Sequence, residues 1–487
     1  MLFYSIKFWV LFILLLALYY LLPQRLKKLP LLVFDLVFYL SFGLKGALLV
    51  VALTLATYGL GLGLTSCRRK KLLLTAAVVL LAGVLAVLKY SNFALSTVSA
   101  VARLLGVDAA ERSFSLLLPV GLSFYTFQAL GYLIDVYRGK YEAEKNIVTL
   151  AVFLTFFPTI LSGPILRYDD FRPELEKKIV PSYDEIRDGL LLFGLGLFQK
   201  LVVADRIGVI VDTAYADYTS YRGFFVIIIA AFYSLQIYFD FAGYSSMAIG
   251  LAKMMNISVK ENFNTPYLSR SIAEFWRRWH ISLSSWLKDY IYIPLGGNRK
   301  GARRKLLNLL VVFLISGIWH GADWSFVVWG GIHGVYQVVQ TLDRPLKLKL
   351  AGRLKIDLSR KIMKVVAVAW NFLLVSYAWI FFRAESVRQA VSFILNTFKS
   401  FNAWVFFDGS MYLCGLSQPE LHVLMVSLLL MFLCDLCKYR GIDIVKTVNS
   451  QQLVFRWLIY YALIFSILVF GVYGVEYNAN NFIYFNF

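Results

Sequence analysis

The sequence predicts an all-α, polytopic membrane protein, and three observations predict it. Apolar runs of roughly 20 residues, long enough to span a hydrocarbon core, recur from end to end of the 487 residues. Hydrophobic residues make up 59% and charged residues 16%, with a mean hydropathy of +0.67; soluble domains carry about 25% charged residues. The Lys and Arg behind the net charge of +20 fall in short loops between the runs, the pattern that sets orientation in a bilayer. That placement argues for lipid, and against nucleic acid, as the partner of the positive charge. The expected architecture is roughly 11 to 13 membrane segments, some re-entrant, around a central cavity. It forms one integral-membrane domain over 1–487, with a short external aromatic tail at 476–487.

The first apolar run, Phe3–Leu22, has no basic stretch before it and no small-residue cleavage site after it, so it reads as a retained span. Arg25, Lys27 and Lys28 follow and put its far end in the cytoplasm, with the N-terminus outside. Leu31–Leu64, interrupted at Gly43–Lys45, reads as a helical pair ending at the cytoplasmic run Arg68–Lys71. Leu72–Leu88 goes out, Ser91–Arg112 is external or interfacial, and Phe114–Ile134 returns. Ile147–Leu166 contains Pro158 and Ser162-Gly163-Pro164, so it is broken or re-entrant, its freed backbone groups satisfied inside protein. Leu190–Val203 and Gly223–Leu251 are further spans. The second carries Gln236, Asp240 and Tyr244 at i, i+4, one face that should point into the protein. Gln236 and Asp240 on that face bind each other, bind backbone, or wall a polar cavity.

Lys253–Lys305 is basic throughout and rich in aromatics (Phe275, Trp276, Trp279, Trp286), which suits cytoplasmic helices at the interface. Leu306–Ile318 and Trp324–Val339 form an apolar hairpin with basic flanks and His320 at its turn. Fifteen residues beyond Lys305, at 1.5 Å each, put His320 roughly 22 Å into the membrane, past its middle. Lys347–Lys364 is a cytoplasmic loop, Val365–Phe381 a span, Ser386–Phe398 an amphipathic external helix, and Ser400–Pro419 external. Leu421–Leu436 returns and Leu453–Val475 goes out. The stretch from Glu476 to Phe487 carries no positive charge, so the C-terminus is expected outside.

The stretch from Asn264 to His333 concentrates the reactive groups, with three of the four histidines: His280, His320 and His333. An ionisable residue deep in an apolar segment is costly and marks function by default, so His320 is the leading candidate. His280, among Trp and Arg, suits a structural hydrogen bond as well as catalysis. His333, in a Gly-rich apolar helix, reads as packing, and His422 is assigned nothing. The run Gly296–Lys305 holds Arg299, Lys300, Arg303 and Arg304 beside flexible glycines, a set that can bind phosphates; anchoring to anionic lipid is the simpler reading. Of the cysteines, Cys67, Cys414, Cys434 and Cys437, the last two form a CxxC inside an apolar run with no further ligands nearby, so no metal site is expected.

The runs YFDFAGYSSMAIGLAKM, ENFNTPYLSRSIAEFWRRWHISLSSWLKDYIYIPLGGNR and SGIWHGADWSFVVWGGIHG resemble the membrane-bound O-acyltransferase (MBOAT) family, in its AlgI-like branch, which acetylates extracytoplasmic polysaccharides. The resemblance covers most of the chain. It implies acyl transfer, with His320 at the family's catalytic histidine and His280 at its second position, which is often His or Asn. It also implies that Tyr484, in the ending FIYFNF, carries the acyl group before a secreted or membrane-anchored SGNH, esterase-like partner passes it to the polysaccharide. Without the resemblance, that ending reads as an aromatic tail in the interface. The implied donor is a cytoplasmic thioester, acetyl-CoA, used as a substrate with no bound cofactor. The nearest rival is a D-alanyl transferase of the DltB type, fed by an acyl carrier protein; there the tyrosine motif lies on a separate small protein. A rival of another class is a transporter or flippase.

The chemistry fits the residues. A general base must take a hydroxyl proton, and a buried imidazole is kept neutral for that task. A phenol, with a pKa of about 10 against about 8.5 for a thiol, is a leaving group close to that of a thioester. A tyrosyl ester therefore keeps most of the acyl-transfer potential.

Overall fold

The computed structural model describes residues 1–107, 113–116 and 118–473, and among them there are helices and turns but no strand. Tyr484 and the aromatic tail lie outside the described residues. Among the described residues, six helices are long and apolar enough to cross a membrane, by length and composition: Leu44–Ser66, Lys70–Leu104, Phe224–Met254, Lys361–Arg383, Gln418–Tyr439 and Leu453–Phe470. The chain divides into two compact units, Met1–Leu190 with Met247–Lys260, and Leu191–Ser246 with Glu261–Phe487.

The first unit holds α1 (Ile6–Leu21), α2 (Lys28–Leu40), α3 (Leu44–Ser66), α4 (Lys70–Leu104), α5 (Leu122–Tyr137), α6 (Ile147–Thr155), α7 (Phe157–Ile160) and α8 (Tyr168–Glu176). Phe8, Phe12, Phe34, Phe38 and Phe157 pack ring against ring at its centre, the closest pair, Phe34 and Phe157, at 4.5 Å. The expected break in Ile147–Leu166 is there, and its backbone is satisfied as a bilayer requires. The buried carboxylate of Asp35 accepts the Phe157 N–H at 2.8 Å and the Thr155 hydroxyl at 3.3 Å, closing the gap between α6 and α7.

Four expected boundaries move. α4 runs 35 residues, through the stretch read as interfacial. Residues 89–104 lose apolarity but contain neither Pro nor Gly, so nothing interrupts the hydrogen-bond ladder. α5 starts at Leu122, not Phe114, because Pro119 and the left-handed Gly121 precede it. A Cβ on Gly121 would stand 2.6 Å from the Ile160 carbonyl oxygen, so only glycine fits. The other two shifts are in the second unit.

Two helices run through the unit boundaries: α9 (Tyr183–Phe198) and α11 (Phe224–Met254). In the second unit α9 passes through a π-helical turn, Gln199–Ala204, directly into α10 (Asp205–Ala216). Leu190–Val203 was expected to be a complete segment; the polar pair Asp205-Arg206 does not end it, for a reason given below. Then come α12 (Ile272–Arg278), α13 (Ile281–Leu287), α14 (Gly301–His320) and α15 (Trp324–Arg353). The remaining helices are α16 (Lys361–Arg383), α17 (Val387–Asn396), α18 (Gln418–Tyr439), α19 (Ile444–Asn449) and α20 (Leu453–Phe470). α15 continues past Val339 to Arg353, through residues expected in a loop and through Pro345; its Leu and Lys are good helix formers, and the proline removes one backbone donor without ending the helix.

Candidate active site in the second unit

α14 and α15 form the hairpin expected from the sequence, and His320 is the last residue of α14. Glycines set how closely the two helices approach. A Cβ on Gly317 would stand 2.4 Å from the Phe326 carbonyl oxygen, and one on Gly330 2.4 Å from that of Phe313. Gly321 ends α14 in extended conformation, and the Asp323 side chain caps α15 by accepting the Ser325 N–H at 2.7 Å. The turn is therefore short and fixed. His320 is buried, its ring 4.9 Å from Trp319, 5.0 Å from Trp329 and 5.3 Å from Phe382.

His280 joins the same aromatic cluster. It is fully buried, 6.2 Å from the Trp319 ring and 4.7 Å from Phe241 of α11. It sits between α12 and α13 with φ +42°, the left-handed region that few L-residues adopt. Asn262 holds it there. The Ile281 N–H donates to the Asn262 carbonyl at 2.9 Å, while the Ser282 N–H and hydroxyl donate to Asn262 Oδ1 at 3.1 and 2.9 Å. An atom that accepts a backbone N–H is an oxygen. His280 Nδ1, 3.2 Å from the same Oδ1, therefore carries the ring proton, and Nε2 is the acceptor nitrogen. Burial lowers this imidazole to about 3, which keeps it neutral.

His333 is also buried, and its Nδ1 accepts the indole N–H of Trp276 at 3.2 Å, tying α15 to α12. Its ring lies 5.1 Å from Trp329. Trp329 thus touches both His320 and His333. Its own N–H has no hydrogen-bond partner among the described residues, so the cluster keeps an indole donor beside His320. Sequence reasoning did not single out Trp329. An indole in a Gly-rich apolar helix looks like packing until its neighbours are known.

On the polar face of α11, Asp240 makes an ion pair. Asp240 binds Lys200 Nζ at 2.6 Å, and the same ammonium binds Asp205 at 2.7 Å. Gln236 packs on α10, its amide nitrogen 3.0 Å from where a Cβ on Gly208 would lie. Tyr244 is buried. Lys200 is thus a partner of Asp240 that lay outside the sequence readings of Gln236, backbone or a cavity wall. Lys200 and Asp205 were missed because i, i+5 residues diverge on an α-helix; the π turn brings them onto one side. A lysine inside an apolar run was the available signal.

Arg299, Lys300, Arg303 and Arg304 are all exposed, at a turn that opens α14. Gly296, Gly297 and Gly301 take positive φ there. Asn308 of α14 pins the turn by donating to the Gly297 carbonyl at 3.1 Å. Among the described residues, no group of three or more His, Cys, Asp or Glu is placed to hold a metal ion.

The class of membrane protein that carries this arrangement comes from sequence comparisons. A profile of the membrane-bound O-acyltransferase family matches residues 143–350. A probable alginate O-acetylase AlgI of Azotobacter vinelandii is 38% identical over 438 residues, covering 88% of this chain and 83% of that protein. A peptidoglycan O-acetyltransferase of Helicobacter pylori is 32% identical over 75% of this chain and 72% of its own length. A teichoic acid D-alanyltransferase of Streptococcus thermophilus is 31% identical, over 46% and 57%. The chain belongs to the membrane-bound O-acyltransferase family. It is a multi-pass membrane O-acyltransferase, which sets aside the transporter reading.

Proposed function

We propose that the protein moves an acetyl group from a cytoplasmic thioester, acetyl-CoA, to an extracytoplasmic polysaccharide in the bacterial cytoplasmic membrane. Support comes from the relatives: alginate O-acetylases and a peptidoglycan O-acetyltransferase match three quarters or more of the chain, whereas the D-alanyltransferase matches under half. The observation that carries the mechanism is that His320 and His280, far apart on the expected topology, meet on one ring, Trp319.

His320 takes the proton of the attacking hydroxyl as its oxygen bonds to the thioester carbonyl carbon. The carbonyl oxygen becomes an oxyanion, and the Trp329 N–H is the donor available to it. Collapse breaks the C–S bond, and the leaving thiolate takes the proton from the imidazolium. His280, locked by Asn262, orients the reacting group through Nε2. Arg299, Lys300, Arg303 and Arg304 hold the donor's phosphates. Tyr484 accepts the acetyl group as a phenyl ester, and a secreted or anchored SGNH-type partner passes it to the sugar hydroxyl.

The test is the intact mass of the C-terminal peptide from protein purified out of cells with an active donor pathway. An acetyl-sized increment on Tyr484, absent in His320→Ala, is expected. An alanyl-sized increment would move the protein to the D-alanyl branch with a carrier-protein donor. Transfer without any adduct would overturn the relay and leave direct transfer at His320.

A further inference from the structure

In the first unit, the turn between α3 and α4 opens on a cleft of about 780 Å³ lined by Arg68, Arg69, Lys70, Lys71, Thr75 and Tyr137. Nothing in the acyl-transfer chemistry uses it. All four cations are exposed, and among the described residues none is ion-paired. The carboxylate nearest in sequence to Tyr137, Asp135, is committed to Arg138 and Lys140.

The charges are also badly placed for the helix they open. Arg68 and Arg69 follow the C-terminus of α3, whose partial negative charge they complement. Lys70 and Lys71 are the first two residues of α4, where the helix dipole is positive. No acidic residue stands in that first turn, and no side chain caps it. Four positive charges and an uncapped helix start therefore converge on one cleft, and an anion there relieves both. The Thr75 hydroxyl donates to the Lys71 carbonyl, so it is already used; Tyr137 is the neutral donor left at the rim.

The site's place in the chain says which anion. α3 and α4 are both long apolar helices, and the turn joins their ends, at the depth of lipid headgroups. From the cleft, Leu72, Val79 and Val87 run along α4, each more than half exposed and, at 100° per residue, on one face. That stripe lies where acyl chains would hang from a headgroup held by the cations. We propose that this cleft binds the phosphate headgroup of an anionic phospholipid, with Arg68, Arg69, Lys70 and Lys71 on the phosphate, Tyr137 donating at the rim, and the chains along α4.

The test is native mass spectrometry of the full chain in detergent, titrated with phosphatidylglycerol and, separately, with phosphatidylcholine. Phosphatidylglycerol should be retained in preference, and Lys70→Ala with Lys71→Ala should weaken it about fivefold per cation removed. Tyr137→Phe, which keeps every charge, should weaken it by about the same factor as one cation. A control pair, Lys361→Ala with Lys364→Ala, removes two exposed lysines that open another long apolar helix, α16; it should leave binding unchanged. Equal loss in the control pair, no loss in Tyr137→Phe, or no preference between the lipids would reduce the cleft to bulk charge and overturn the proposal. Displacement of the lipid by millimolar inorganic phosphate or coenzyme A would assign the site to a soluble phosphate instead.

Discussion

His280 is held in a conformation it does not favour, by contacts that also choose its tautomer, and that makes its replacements predictable. Asn is among the residues that tolerate the left-handed region, so His280→Asn should fold while losing transfer. His280→Ala should lose stability as well, by about 1 kcal/mol, because it removes the hydrogen bond to Asn262 Oδ1. The buried imidazole also sets a pH dependence. Its pKa is lowered to about 3 in the folded protein, against an ordinary value of 6.5. A lowered folded value means the stability is fully present above pH 6.5 and is lost as pH falls through that value toward 3. The unfolding midpoint in detergent should therefore decline below pH 6.5, by up to about 1.4 kcal/mol per pH unit from this group. His280→Asn should flatten that decline; an identical decline in the variant would mean that other groups cause it. Trp329→Phe removes an N–H and keeps an aromatic ring. If Trp329 meets the oxyanion, kcat should fall about 100-fold with the donor KM unchanged. A purely packing role would instead lower the unfolding midpoint and spare kcat.

At the scale of elements, the two helix pairs of the second unit are joined by opposite means. α14 and α15 meet through glycine, and no side chain can be added between them. Gly317→Ala would push its methyl group onto the Phe326 carbonyl and shift His320 with its helix. Transfer should drop by about 100-fold, as expected for a displacement near 1 Å, in protein that still reaches the membrane. α11 meets the π turn through charge. Lys200→Leu leaves Asp205 and Asp240 facing each other without their cation, a loss of about 3–5 kcal/mol. Replacing Asp240 by Leu in the same chain should recover part of that, measured as a double-mutant cycle on detergent unfolding. These two joints also show what was legible. The α14–α15 hairpin was legible from its two apolar runs and basic flanks, whereas the part that Gly317 and Gly330 play in its closeness shows only in the packed helices. The π turn was invisible, since periodicity read at 100° per residue separates Lys200 from Asp205. The lengths of α4 and α15 were underestimated for a related reason: hydropathy marks where lipid stops, and helices do not stop there.

For the whole molecule, the apolar runs and the loop charges carry a single orientation, and the proposed chemistry depends on it. In the proposed chemistry the donor thioester comes from the cytoplasm, which requires the basic turn at Arg299–Arg304 on that side. The loop-charge rule puts Arg68–Lys71 there too. The chain contains a natural reporter of this. Cys67 is exposed and directly precedes Arg68, whereas Cys414 is buried and Cys434 and Cys437 are half-buried in α18. A membrane-impermeant maleimide should therefore label Cys67 in inside-out vesicles and not in intact spheroplasts, and Cys67→Ser should remove the exposed-thiol signal. Labelling from the outer face would invert every span together, because each loop assignment is fixed relative to its neighbours by the crossing between them. It would put Arg299–Arg304 on the side where no coenzyme A thioester is made, and a cytoplasmic donor could not reach His320 by that face. Orientation and donor chemistry therefore stand or fall on one thiol, independently of whether Tyr484 is esterified.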